Sequence, residues 1–406
     1  MKALTFLGTG SYQQVTYVWE NSACQTNLFP VAVAQIFAAD PIVVFVTPEV
    51  KGHKNFTDLV CALGNRVQAV DIPSGKSESE LWEIFQKCVE SVNEGEEILL
   101  DITHAFRSLP LIVFTVAAFL RQVKNVTIRH IVYGAFEAKD ANNQAPIFDL
   151  TPLLDLLDWL SGAEFFIKRG DASLLGEKLT AVHGKAWRQR GSLDLPTKLS
   201  RLGTCLKELS LSLHLGRPIE VMERSHSLLH LVDQVAPEVE RWARPFAIIL
   251  NKIRTEAEEL AYASPTTLSE DNLRKQLKII EYLIGKGQIA PALLLEREWI
   301  VSWVVYHSQR DRWLDEKVRS EAEKAPNTAR QRLEGAVTQV PSWFEQLPSR
   351  DLVTRVWSKI VELRNDLAHC GMRTPHVDSR ALVRRAKDVL SEFRQLANSL
   401  SCQHTT

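Results

Sequence analysis

The chain has 406 residues, 45% of them hydrophobic and 24% charged, more than a single hydrophobic core usually organises, so two domains are expected. A formal net charge of -1 excludes the global basic character of a dedicated nucleic-acid binder and leaves any RNA contact to local patches of salt-sensitive affinity. Six cysteines (Cys24, Cys61, Cys88, Cys205, Cys370 and Cys402) form no Cys-x-x-Cys pair and no His spacing suited to zinc, so reduced core thiols, and no metal, are expected.

Met1-Lys-Ala-Leu-Thr-Phe-Leu opens directly into a strand rather than a secretory leader, and the apolar span Val113 to Leu120 is too short to cross a bilayer. A soluble, cytoplasmic protein with no membrane partner is expected. Along the first ~150 residues, strand and helix alternate as in an α/β domain of ordinary size. Ala3 to Leu7, Ile42 to Val46, Val67 to Ile72, Ile98 to Ile102 and Val126 to Tyr133 are short runs rich in Val, Ile and Leu. The wholly apolar Ile42 to Val46 predicts burial on both faces of a parallel sheet, whereas Val67 to Ile72 and Val126 to Tyr133 are mixed enough to lie nearer an edge. Leu28 to Ala39 and the positions Leu81, Ile84, Phe85, Cys88 and Val92 carry helical spacing, giving a β-α repeat of Rossmann-like type.

Two loops of this repeat bear chemistry. Gly8-Thr-Gly-Ser-Tyr12 follows the first strand, where such folds place a ligand, yet it lacks the third glycine of a dinucleotide fingerprint, which argues against nicotinamide. Its glycines read most simply as a tight turn needing positive φ. Glu97-Ile-Leu-Leu-Asp-Ile-Thr-His-Ala-Phe-Arg-Ser-Leu-Pro110 reads as strand, turn and helix start. Thr103, His104, Arg107 and Ser108 then sit outside the carboxyl end of a strand, beside the free N–H groups of a helix, where phosphate is favoured. An ordinary connection whose polar residues merely cap the helix would read the same way.

Pro146 to Leu150 is a last short strand, and Thr151-Pro152 opens a helix through Phe165. Residues 1–165 thus form the Rossmann-like domain, 166–200 a connector or irregular helical join, and 201–406 an all-α domain. Helices are expected at Pro218 to Val235, Glu238 to Tyr262, Thr267 to Lys286, Ile289 to His307, Val353 to Ala368 and Ser379 to Leu400. In the penultimate one, Val353, Val356, Ile360, Leu363 and Leu367 make an apolar stripe; Asn365 and His369 lie on the far side and Arg364 on its flank. Arg224 to His230 offers a second Arg and His at similar spacing, with His226 and His230 one turn apart, and ordinary surface polarity accounts for it. Arg380, Arg384 and Lys387 share a face of the last helix and fit either an RNA track or a solvated basic face.

Asp101-Ile-Thr-His-Ala-Phe-Arg-Ser-Leu-Pro110, together with Phe6-Leu-Gly-Thr-Gly-Ser-Tyr12, resembles the signature of CARF-HEPN proteins, the accessory ribonucleases of type III CRISPR systems, with Ala105 where the family usually carries Gly. Arg364-Asn-Asp-Leu-Ala-His369 matches that family's ribonuclease motif, an Arg followed by four to six residues and a His. The resemblance implies a CARF sensor over 1–165 and a HEPN ribonuclease over 201–406. It implies a cytoplasmic antiviral single-stranded endoribonuclease, metal-independent and without cofactor. Its activator would be a cyclic oligoadenylate, taken here as the tetramer, made by a type III effector complex. Gly8, Thr9, Gly10, Ser11, Tyr12, Thr103, His104, Arg107 and Ser108 would bind the activator, and Arg364, Asn365 and His369 would cut RNA. Arg364 and His369 stand ~140° apart on an ideal helix, so a site composed from two copies in a homodimer, or a higher even oligomer, suits one phosphate better than a single protomer does. A cyclic-nucleotide-sensing regulator or binding protein without nuclease activity is the competing reading, and whether the sensor also cleaves its ligand is left open.

Overall fold

The computed structural model describes residues 1–105, 109–189, 194–308, 311–372, 374 and 376–400. It divides into two compact units, Met1–Asp158 and Trp159–Thr406. The first is α/β and the second all-helical, as the hydrophobic patterning predicts.

In the first unit the strands are β1 (Lys2–Phe6), β2 (Val15–Trp19), β3 (Ser22–Thr26), β4 (Ile42–Val46), β5 (Val67–Asp71), β6 (Glu97–Asp101), β7 (Thr127–Gly134) and β8 (Gln144–Asp149). They form one eight-stranded sheet in the order β3-β2-β8-β7-β6-β1-β4-β5. Strands β7, β6, β1, β4 and β5 run parallel to one another, and β2 runs parallel to β8; β8 is antiparallel to β7, and β3 to β2. The helices are α1 (Phe29–Ile36), α2 (Pro48–Lys51), α3 (Lys54–Leu63), α4 (Glu78–Glu90) and α5 (Leu109–Val123), and α6 (Thr151–Arg169) starts in this unit and continues into the second. All five residues of β4 are buried, because the sheet is covered on both faces. One face packs Leu7, Phe29, Val33, Val44 and Leu99 into a core, and the other packs Leu4, Phe45, Ile84, Leu100, Val113 and Leu120.

The sheet explains two departures from the sequence reading. Strand β5 is an edge as expected, but β7 is interior, since β8 and the β2–β3 hairpin extend the sheet beyond it. That hairpin had no counterpart among the expected strands. From β1 the chain builds outward through β4 to β5 and then returns to place β6 on the other side of β1. The reversal between β1 and β6 opens a crevice at the carboxyl ends of these strands.

The second unit contains α7 (Ser173–Gln189), α8 (Leu199–His214), α9 (Pro218–Trp242), α10 (Arg244–Leu260), α11 (Glu270–Gly285), α12 (Ile289–His307), α13 (Glu316–Leu333), α14 (Ser342–Glu345), α15 (Arg350–Ala368) and α16 (Ser379–Asn398). Its core gathers Leu206, Met222, Phe246, Ile280, Trp299, Trp303, Trp357 and Phe393. Each fully buried side chain of this size contributes about 1.5–3 kcal/mol. The stretch 166–200 carries the whole of α7, whose Leu175, Leu179 and Ala186 are buried. Of the cysteines, Cys24, Cys88 and Cys205 are buried thiols, but Cys61 and Cys370 are exposed rather than in the core; Cys402 lies outside the described residues. Among the described residues no helix is long and apolar enough to cross a membrane.

Candidate functional site

The crevice between β1 and β6 is floored by Asp101. Its carboxylate is fully buried, accepts from Thr5 Oγ1 at 2.5 Å and from the Thr103 amide at 2.8 Å, and is nevertheless pushed up to about 6 by burial. Thr103 Oγ1 accepts from the Gly134 amide at 2.8 Å, so this hydroxyl ties the end of β6 to β7. His104 comes next. Its Nε2 accepts from the Phe29 amide at 3.3 Å, at the first turn of α1, and burial pushes the imidazole down to about 4. The ring is therefore neutral near pH 7, with Nδ1 left as its donor.

Tyr12 covers His104. The two rings stack with centroids 3.9 Å apart and planes 24° from parallel, and the Tyr12 hydroxyl accepts from the Gly8 amide at 3.0 Å. This fold-back explains the glycines: a Cβ on Gly8 would stand 2.8 Å from the Tyr12 hydroxyl, and one on Gly10 would stand 3.3 Å from Cε1 of that ring. Neither glycine takes a positive φ, so close approach of an aromatic ring, not left-handed backbone, is what excludes a side chain here. Asn55, on α3, fixes the loop by donating from Nδ2 to the carbonyls of Gly8 and Gly10, both at 2.9 Å.

The Tyr12–His104 pair borders two cavities. One, of about 510 Å³, is lined by Gly8, Thr9, Gly10, Tyr12, Thr103, His104 and Ala105 together with Thr47, Glu49, Val50, Ser74 and Lys76. The other, of about 280 Å³, is lined by Ser11, Tyr12, Gln13, Tyr17, Asn27, Thr103, His104, Tyr133, Gly134, Phe136 and Glu137. Seven of the nine loop residues expected to meet the activator thus gather at one place, and Arg107 and Ser108 lie outside the described residues. The sequence reading missed Asn55, Thr47, Glu49, Ser74 and Lys76. The last four follow β4 and β5, and scanning the carboxyl end of every strand, rather than of β1 and β6 alone, finds them. Glu49 accepts from Ser74 Oγ at 2.9 Å and lies 3.6 Å from Lys76 Nζ; its own amide, Thr47 and Ser74 hold its carboxyl down at about 2. The larger cavity thus offers an ammonium and a carboxylate beside a loop of backbone groups.

In the second unit, Arg364, Asn365 and His369 fall in the last turn and C-cap of α15. Arg364 Nη1 donates to Asn365 Oδ1 at 3.4 Å, while the Asn365 carbonyl accepts from the His369 amide at 3.0 Å. The Asn365 side chain therefore engages Arg364 and not the His369 ring. Arg364 is half-buried and its Nε, shielded from solvent, has no hydrogen-bond partner among the described residues. His369 is exposed. The helix ends there because Cys370 and Gly371 turn left-handed, at φ 53° and 69°, and the Gly371 amide reaches back to the Asp366 carbonyl at 3.1 Å. The Asp366 carboxylate, nearly buried, accepts from the Val377 amide at 3.3 Å and holds the following loop. At the second Arg and His, Arg224 pairs with Glu208 at 3.0 Å and His230 meets His226. Arg380, Arg384 and Lys387 are all exposed on α16.

Comparison with known proteins places the first unit. Residues 2–137 match the family model described as the CARF domain of the CRISPR system endoribonuclease Csx1. The CRISPR-associated protein MJ1674 of Methanocaldococcus jannaschii is 36% identical over 111 residues, which cover 27% of this chain and 18% of that protein. Among solved structures, Enterococcus italicus Csm6 bound to cyclic hexa-2'-fluoro-hexa-dAMP aligns over 99% of this chain and 94% of its own, with 13% identity and a TM-score of 0.42. The family match spans the strands, the Gly8–Tyr12 loop and the Thr103–Ala105 turn that build the crevice. The first unit is accordingly a CARF domain by its match over residues 2–137.

Proposed function

We infer that the chain is a ligand-activated endoribonuclease: a cytoplasmic enzyme of type III CRISPR defence that binds a cyclic oligoadenylate in its CARF domain and cuts single-stranded RNA in its helical, HEPN-type domain. The observation that carries the second half is Arg364, a half-buried cation whose Nε is shielded from solvent and has no hydrogen-bond partner among the described residues, five positions before an exposed imidazole. Leaving such a donor unmet costs about 1–3 kcal/mol, which a phosphate oxygen would offset. The guanidinium stabilises charge on the pentacoordinate phosphorus, and the His369 imidazole takes the proton from a 2'-hydroxyl or gives one to the leaving oxygen. Neither step calls for a metal. Two copies of α15 brought together in a homodimer supply the Arg and His that one helix presents to different sides.

The test uses purified full-length chain with labelled single-stranded RNA and cyclic tetra-adenylate. Arg364→Ala and His369→Ala should each abolish cleavage while calorimetry shows ligand binding unchanged, and EDTA should leave the wild-type rate intact. Cleavage lost in EDTA and restored by a divalent metal contradicts the mechanism. Ligand binding without any cleavage supports instead a sensor that regulates a partner.

A further inference from the structure

Outside both sites, α9 carries an arrangement that the proposed function does not use. His226 and His230, one turn apart, face each other with Nε2 atoms 3.2 Å apart and ring centroids separated by 4.7 Å at 85°. We propose that this pair is a binding site for a borderline divalent transition-metal ion such as Zn²⁺ or Ni²⁺, with water completing the coordination. The bite distance supports it: two imidazole nitrogens at metal bonds of 2.0–2.1 Å in tetrahedral geometry stand about 3.3 Å apart. Histidines at i and i+4 on one helix face reach one ion because their side chains lie one above the other. The platform is rigid, since Val221, Met222, Leu228, Leu231 and Val232 bury the inner face of α9. Arg224 is engaged by Glu208 at 3.0 Å, so its charge is already partnered.

The protons balance. Whichever ring carries an Nε2–H gives that proton up to Nδ1 of the same ring when metal binds, which leaves an Nε2 lone pair on each ring and no net charge to expel. Among the described residues no group of three or more His, Cys, Asp or Glu is placed to hold a metal, so the protein supplies two ligands here. Hard cations that want oxygen, Mg²⁺ and Ca²⁺, are not matched by this donor set.

The experiment is calorimetric titration of the full chain with ZnCl₂ and, separately, NiCl₂, in wild type, His226→Ala, His230→Ala, the double variant and Arg224→Ala. Wild type and Arg224→Ala should bind one ion per chain, each single histidine variant should bind more weakly by at least about tenfold, a step of about 1.4 kcal/mol, and the double variant should not bind. A parallel thermal melt should show a metal-induced rise in Tm in wild type that the double variant lacks. The proposal is overturned if wild type binds neither ion, or if the double variant binds and is stabilised as wild type is.

Discussion

At the scale of single residues, the crevice of the CARF domain is held by a buried carboxylate and a half-buried imidazole whose titrations oppose each other. His104 is pushed down from 6.5 to about 4, so its contribution to stability is present above pH 6.5 and is lost as pH falls through 4. Asp101 is pushed up from 3.8 to about 6, so its contribution is present below pH 3.8 and is lost as pH rises through 6. Each shift corresponds to at most about 3 kcal/mol, and between pH 4 and 6 the slopes have opposite signs. Urea denaturation of Asp101→Asn should therefore show stability rising with pH across that window, and His104→Gln should show it falling, with wild type between them. The same sign of slope in both variants would contradict the assignment. Asn at 101 keeps both hydrogen bonds, accepting from the Thr103 amide and donating to Thr5 Oγ1, which makes it the clean probe. Gly8 and Tyr12 form a second test. Gly8→Ala should destabilise wild type, because its Cβ meets the Tyr12 hydroxyl, but cost less in a Tyr12→Phe background, with a coupling of about 1 kcal/mol in a double-mutant cycle.

At the scale of elements, what was legible in the sequence followed from strong periodicity. The runs that became β4 and β6 are apolar enough to demand two covered faces, and with β1 they carried the crevice. The β2–β3 hairpin was missed because Val15–Trp19 and Ser22–Thr26 are short and half-polar, and their turn rests on Glu20 at φ 49°, without the Asn-Gly or Gly-Gly signal of a tight hairpin. One proline misled in the other direction. The break expected between Val235 and Glu238 is absent: α9 runs through Pro237, because Val235 and Val239 keep its buried face continuous across the lost hydrogen bond. The true stop of α9 comes at Ala243, just before Pro245 opens α10. In the candidate site, Tyr12 and His104 were legible as residues but not as a stacked pair, since a contact between loops 92 positions apart leaves no local pattern. Asn55 was illegible for the same reason. Packing of α7 on α8 gives the prediction at this scale. Gly176 and Gly203 meet backbone to backbone, each in the place a Cβ on the other would take, so Gly203→Ala should force the helices apart and destabilise by about 1–3 kcal/mol in denaturant unfolding. A neutral substitution would show that this crossing is looser than described.

At the scale of the whole molecule, a net charge of -1 gives no general attraction for RNA, so the proposed function leaves recognition to local groups such as Arg364 and the exposed Arg380, Arg384 and Lys387 on α16. Cleavage at sub-saturating RNA should fall steeply between low and physiological salt, and replacing the three α16 cations by Gln should flatten that dependence while leaving the cleavage positions unchanged. Under the proposed function, activation must come from differential affinity: a ligand would turn on the helical domain only if it preferred the arrangement in which both copies of Arg364 and His369 reach RNA. In the proposed two-fold dimer the CARF crevice would be presented twice about one axis, and a ring that repeats its own chemistry about that axis, as a four-membered ring does and a three-membered one does not, would be the matching ligand. The most direct measurement is the rate of single-stranded RNA cleavage by the purified chain alone, with cyclic tri-adenylate and with cyclic tetra-adenylate. The account expects little cleavage alone or with the trimer and strong stimulation by the tetramer. Tetramer that neither binds nor accelerates cleavage, or trimer that does both better, would contradict it.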